Sequence, residues 1–184
     1  MLPRSASVII PSCNEGDRLH STIQGVLAST NTLPFEIVVV DDGSEDGSCD
    51  PLRRGTFPSV RVVDGGGLGV ARARNRGAEN SAGEMLVFLD AHCEVSRCWL
   101  DHLAQAMAAP DVAIVSPAFT RLGESQPVGL GVGWASPLLD IHWFTPVDDA
   151  PGPYEIPLAP GGCQAFPAGT FRALGQFDEG FARW

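Results

Sequence analysis

The most restrictive stretch of the sequence is Met85-Leu86-Val87-Phe88-Leu89, five apolar residues in a row that run directly into Asp90-Ala91-His92. A run this short without a polar break fits a strand covered on both faces, as in a parallel sheet flanked by helices. Side chains alternate along an extended chain, so Asp90 and His92 point one way and Ala91 the other. A carboxylate oxygen beside a neutral imidazole nitrogen suits a divalent cation such as Mn²⁺ or Mg²⁺ that also engages phosphate oxygens. The same residues would equally make an acidic turn with an incidental histidine, so the surrounding chain has to decide.

Upstream, Val8-Ile9-Ile10-Pro11 is an apolar run stopped by proline, and Asn14-Glu15-Gly16-Asp17 supplies turn and helix-start residues. Leu19, Ile23, Val26 and Leu27 recur at helical spacing and predict a helix over residues 17–29. Phe35-Glu36-Ile37-Val38-Val39-Val40 is a second strand that ends in Asp41-Asp42-Gly43-Ser44. Ligands of open parallel sheets bind beyond the strands' carboxyl ends, where these carboxylates would accept hydrogen bonds from a base or ribose. Asp, Gly and Ser are also what any solvated turn is made of.

Val60-Arg61-Val62-Val63-Asp64 is a third strand, followed by Gly65-Gly66-Gly67-Leu68-Gly69 and a helical segment bearing Arg72, Arg74 and Arg76. Glycines that open a helix expose N–H groups, and arginines add cationic partners for phosphate; an ordinary surface helix would look the same. It is not a Walker loop, because no Gly-Lys-Ser/Thr closes it. A dinucleotide fingerprint would need its third glycine where Val70 or Arg72 stands.

Beyond the central strand, Trp99, Leu103 and Met107 predict a helix over residues 97–108, and Val112-Ala113-Ile114-Val115-Ser116-Pro117 a further buried strand. The alternation β-α-β-loop-β-α-β-α-β implies an α/β fold, a mostly parallel sheet with helices on both faces. Residues 118–157 are rich in Gly and Pro, among them Pro127, Pro146 and Pro151, and predict a binding loop or lid. Trp134, Trp143 and Phe144 are read as a small satellite core in preference to a sugar-stacking surface, and Asp140 and His142 as structural. Gly161-Gly162 would let the backbone approach a ligand closely, and Ala168 to Gly175 predicts a short helix with a glycine stop.

The net charge of −10 argues against a nucleic-acid groove, which needs clustered Lys and Arg. No apolar run reaches the length of a membrane span and no apolar signal core follows the N-terminus, so the expectation is a cytoplasmic protein, free or resting peripherally on a membrane. Cys13, Cys49, Cys93, Cys98 and Cys163 are scattered and never spaced C-x-x-C, which predicts reduced thiols.

Taken in order, Val8-Ile9-Ile10-Pro11-Ser12-Cys13-Asn14-Glu15, Val40-Asp41-Asp42-Gly43-Ser44, Ala73-Arg74-Asn75-Arg76-Gly77, Gly83 through His92, Gly161-Gly162-Cys163 and Gly175 through Phe181 resemble the family 2 glycosyltransferases. That resemblance implies the GT-A fold, a Rossmann-like sheet, as one domain over residues 1–184 with a nucleotide-binding half (1–117) and an acceptor-side half (118–184). It implies that Pro11 and Glu15 line the nucleotide site, that Asp42 with Asp41 receives the base or ribose, and that Arg74 lies near the nucleotide. Asp90 and His92 then correspond to the D-x-D metal motif, in an Asp-Ala-His form similar to polypeptide N-acetylgalactosaminyltransferases, and Gly161-Gly162 line the cleft between donor and acceptor.

The implied activity is metal-dependent, inverting transfer from a nucleotide-diphosphate sugar, UDP being the commonest, to an unknown glycan, lipid or protein acceptor. The implied general base lies beyond Trp184, so the sequence reads as incomplete at its C-terminus, and Asp178 and Glu179 match a segment preceding that base. The alternative is a nucleotide-sugar-binding domain impaired in catalysis. A sheet edge left open after Trp184 would also admit a second copy, giving a homo-oligomer.

Overall fold

The computed structural model describes residues 2–124, 127–138, 140–144 and 152–180. Pro146, Pro151, Phe181 and Trp184 lie outside the described residues. The chain begins with β1 (Ala6–Ser12), α1 (Asp17–Ala28), β2 (Phe35–Asp41), the short α2 (Asp50–Arg53) and β3 (Val60–Asp64). It continues through α3 (Val70–Glu79), β4 (Met85–Leu89) and α4 (Trp99–Ala106). Four short strands follow, β5 (Phe119–Thr120), β6 (Pro127–Gly129), β7 (Val132–Trp134) and β8 (Ile141–Trp143), before β9 (Cys163–Pro167) and α5 (Ala168–Ala173).

The main sheet has the order β3-β2-β1-β4-β9, parallel except for β9, which runs antiparallel to β4. Alternation along each strand sends residues to two opposite cores. Val8, Ile10, Ile37, Val39, Met85, Val87 and Leu89 meet α1 (Leu19, Ile23, Val26) and α4 (Trp99, Leu100, Leu103). Ile9, Val38, Val40, Leu86 and Phe88 meet Ala73 and Ala78 of α3 and Phe171 of α5. Each fully buried aliphatic or aromatic side chain contributes roughly 1.5–3 kcal/mol, which is why β4 tolerates no polar residue. The close approach of α3 demands Gly77, since a Cβ there would overlap Ile9 Cγ2.

Two expectations need correction. Val112 to Pro117 does not form a buried strand: Ile114 is exposed, and only Val115 joins the sheet, through reciprocal hydrogen bonds with Ala165 of 2.9 and 2.8 Å. The reason is β9, which was not expected and which occupies the place beside β4. The segment therefore lies parallel to β4 but one position further out. Within 118–157 the chain is not a simple loop either, since β5 pairs with β6 and β7 with β8, both antiparallel. Among the described residues no helix is long and apolar enough to cross a membrane.

Strand order reverses between β1 and β4: the chain winds outward through β2 and β3, then returns across β1 by way of α3. Crevices for ligands form beyond the carboxyl ends of the strands at such a reversal. The ends of β1, β2 and β4 carry the polar residues singled out from the sequence.

Candidate functional site

At the end of β1 the loop to α1 is laced to the loop after β2. The Asn14 side-chain oxygen accepts the Glu45 N–H at 2.8 Å, the Asn14 N–H donates to Ser44 Oγ at 3.1 Å, and the Gly16 N–H donates to Asp46 Oδ2 at 2.8 Å. Pro11 is buried inside β1, paired in register with Val40. Glu15 is thereby held over the crevice, its Oε2 buried without a hydrogen bond and 3.4 Å from both His92 Nδ1 and Arg18 Nη2.

At the end of β2 both carboxylates engage protein donors. Asp42 is buried and accepts the Leu68 and Gly69 N–H groups at 2.9 and 2.8 Å, so it fixes the glycine loop at the start of α3. Gly65 is required beneath it, because a Cβ there would stand 2.8 Å from Asp42 Oδ1 and 3.0 Å from the Asp41 carbonyl oxygen. Asp41 accepts the Ser44 N–H and Arg53 Nη2, each at 2.9 Å. Burial pushes the Asp41 carboxyl upward, but these hydrogen bonds and the Arg53 charge outweigh it and hold the group below its ordinary value.

At the end of β4 the side chains stand open. Ala91 is buried, whereas the Asp90 and His92 side chains are 30% and 49% exposed; β4 ends at Leu89 and residues 91–92 form a turn, so this exposure comes from the turn and not from strand alternation. The turn that carries them is fastened from below: buried Thr22 of α1 has its hydroxyl 3.0 Å from the carbonyl oxygens of Ala91 and Cys93 and accepts the Cys93 N–H at 3.0 Å. Asp90 also donates its N–H to the Gly162 carbonyl at 3.0 Å. Burial raises the Cys93 thiol to about 11, and it raises that of buried Cys163 further, so neither behaves as a ligand-ready thiolate.

Arg74 reaches this end from α3. Its Nη2 donates to Asp90 Oδ1 and to the Gly161 carbonyl, both at 3.0 Å, and its guanidinium carbon sits 5.6 Å from the centre of the Phe177 ring. Arg72 points elsewhere, to Glu179 at 3.3 Å, and Arg76 is exposed beside the glycine loop, so the three arginines do not form one cluster. Gly162 packs against Phe119, with Asp90 Oδ2 3.7 Å from where a Cβ would project.

The donor set suits a hard divalent cation, with Asp90 Oδ2 and an imidazole nitrogen at the open strand end and a Glu15 carboxylate oxygen 3.4 Å from that imidazole. No group of three His, Cys, Asp or Glu side chains in ligand arrangement exists among the described residues. Two protein ligands with phosphate oxygens and water completing the shell would be the arrangement that fits. Asp178 and Glu179 are engaged: Asp178 Oδ1 accepts the Gly180 N–H at 2.8 Å, and Glu179 Oε1 accepts from Asn75 at 3.1 Å.

The aromatic residues of 119–144 divide between contact and exposure. Trp143 meets Phe119 edge to face at 5.8 Å and lies against Gly129, yet remains 47% exposed; Trp134 is 49% exposed. Asp140 accepts the Ser136 hydroxyl at 2.6 Å. Sequence reasoning gave no role to Thr22 or Asn75. Thr22 carries a visible signal, a polar residue on the apolar face of α1; Asn75 carries none beyond its place in Ala73-Arg74-Asn75-Arg76-Gly77.

A family model described as Glycosyl transferase family 2 matches residues 7–168. The chain is 31% identical, over 98% of its length and 45% of the relative, to a Macaca fascicularis protein named inactive polypeptide N-acetylgalactosaminyltransferase-like protein 5. It is 32% identical, over 97% of its length and 35% of the relative, to polypeptide N-acetylgalactosaminyltransferase 14 of Homo sapiens. Among solved structures, that of GalNAc-T7 with UDP, GalNAc and Mn²⁺ superposes with a TM-score of 0.84 at 26% identity, covering the whole of this chain and 38% of the other. The chain thus spans less than half the length of the curated relatives it matches.

Proposed function

The chain belongs to glycosyl transferase family 2, and on that premise we propose that it binds a nucleotide-diphosphate sugar, a UDP-sugar first, together with Mn²⁺ or Mg²⁺, at the carboxyl ends of β1, β2 and β4. The observation that carries this reading is the open Asp90–His92 pair at the strand reversal, flanked by Arg74 and the Gly161 carbonyl. Asp90 and His92 would hold the cation, which when bound supplies Lewis-acid stabilisation of the departing diphosphate. Arg74 orients Asp90 and offers cationic charge beside the phosphates. Asp42 acts through the glycine loop it braces, and Asp41 with Pro11 and Glu15 shapes the wall against the nucleoside. Gly161 and Gly162 keep the cleft between donor and acceptor narrow without filling it.

Transfer with inversion breaks the bond between the anomeric carbon and the diphosphate oxygen and forms one to the acceptor hydroxyl oxygen, whose proton passes to a general base. The relatives' names suggest an N-acetylgalactosamine donor and a polypeptide acceptor as the first pair to try. A second reading, binding without transfer, takes its support from the relative named an inactive polypeptide N-acetylgalactosaminyltransferase-like protein. Incubation with UDP-GalNAc, Mn²⁺ and a Ser/Thr peptide, following UDP release and peptide mass, separates the two. Metal-dependent glycopeptide formation supports transfer, UDP-sugar binding without product supports the second reading, and neither binding nor product would sink both.

A further inference from the structure

Asn75 is 3% exposed, yet its whole side-chain amide is used on one segment of the second half of the chain. Its Oδ1 accepts the Phe177 N–H at 3.0 Å, while its Nδ2 donates to the Phe177 carbonyl at 2.9 Å and to Glu179 Oε1 at 3.1 Å. This reciprocal pair copies a ladder pairing between strands and fixes both the position and the rotation of Phe177. The Phe177 ring then packs on Phe88 at 5.0 Å and Phe171 at 5.2 Å and forms the floor beneath the Arg74 guanidinium.

Arg74 and Asn75 are neighbours on α3, and they grip different pieces of the second half, Gly161 and Phe177. We propose that Asn75 is a positioning residue that locks Phe177 under Arg74, and so sets Arg74 against Asp90 and the Gly161 carbonyl, joining the nucleotide side of the site to the acceptor side. Without the clamp, half-buried Phe177 loses two backbone bonds, and the planar face that restricts Arg74 is free to rotate away. Arg74 would still be present but would no longer be held in one geometry, and loss of such preorganisation lowers affinity without removing any ligand-contacting group. The affinity arm of this inference rests on the nucleotide-sugar reading; the mechanical link does not.

The test is a cycle of Asn75→Ala, Arg74→Ala and the double variant, each titrated calorimetrically with UDP and Mn²⁺ at a temperature where melting curves show the protein folded. Asn75→Ala is expected to weaken binding about 10-fold, with the double variant no weaker than Arg74→Ala alone. Phe177→Leu, which keeps the backbone bonds to Asn75 and removes the ring beneath Arg74, is the second variant and is expected to weaken binding to a similar extent; unchanged affinity in it would also overturn the proposal. Unchanged affinity in a folded Asn75→Ala protein, or losses that simply multiply in the double variant, would overturn the proposal, since Asn75 would then be acting on stability alone or independently of Arg74. Hydrogen exchange supplies an arm that needs no ligand, because the Asp90 N–H bonded to Gly162 reports the seam between the halves. If the wild-type chain binds no UDP, the nucleotide-sugar reading falls, and the clamp is judged by this arm. About 10-fold faster Asp90 exchange in Asn75→Ala with Ile10 unchanged upholds it; unchanged Asp90 exchange overturns it.

Discussion

The ends of β2 and β4 look alike in sequence, each an apolar run closing on carboxylates, but they are finished differently. Asp42 and Asp41 at the end of β2 accept protein donors, two backbone N–H groups of the glycine loop for one and Ser44 with Arg53 for the other. Asp90 and His92 at the end of β4 stand partly exposed, with Arg74 on one carboxylate oxygen and the other left towards the cleft. Acidic residues at strand ends are therefore not interchangeable. One set is tied into the protein's own hydrogen bonds, and the other keeps side-chain donor atoms open to solvent.

Substitutions divide accordingly. Asp42→Ala leaves two buried N–H groups without their charged acceptor and should cost about 3 kcal/mol, or roughly 6–12 °C in Tm, by calorimetry. A Tm unchanged within a degree would erase the distinction. Asp90→Ala should do the reverse. Stability should fall by about 1 kcal/mol, less than for Asp42, because Arg74 keeps its bond to the Gly161 carbonyl, while Mn²⁺-dependent UDP affinity falls by about 100-fold; equal losses in both quantities would mean that β4 is as structural as β2.

The third prediction uses acid. A carboxyl whose folded value is depressed stabilises the fold above its unfolded value of about 4, and the contribution is lost as pH falls through the folded value. Asp41 is such a group, so Asp41→Asn should be less stable at neutral pH by about 1 kcal/mol and should lose part of the decline below pH ~4 seen in the wild type. Parallel acid-unfolding curves would show that Arg53 and Ser44 do not depress it. The smallest effect concerns Cys93, whose thiol, raised to about 11 by burial, should alkylate at neutral pH at least ~10-fold more slowly than a free cysteine. Rapid modification would mean the turn after β4 opens more readily than its Thr22 anchor implies.

The parallel strands and their helices were legible because each is specified locally: β4 by five apolar residues, α1 by Leu19, Ile23 and Val26 at helical spacing. β9 was not, because Cys163-Gln164-Ala165-Phe166-Pro167 has no β-branched residue and is broken by Gln164 and Pro167, and it becomes a strand only because β4 offers an unpaired edge. That tertiary fact also displaced the expected strand at Val112 to Pro117. In the site, residue types and order announced Asp90, His92 and the acidic turn, but not their partners. Nothing in Ala73-Arg74-Asn75 shows that one side chain reaches Asp90 and the next clamps Phe177 across a separation of 102 residues.

The central claim, that the open end of β4 binds a nucleotide diphosphate through a divalent cation, is tested most directly by titrating the purified chain with UDP in the presence and absence of Mn²⁺, for wild type and His92→Ala. Binding that requires Mn²⁺ and is lost in His92→Ala, with the variant's melting curve intact, is the predicted result. UDP binding that is indifferent both to the metal and to His92 would contradict it and move the nucleotide site away from β4.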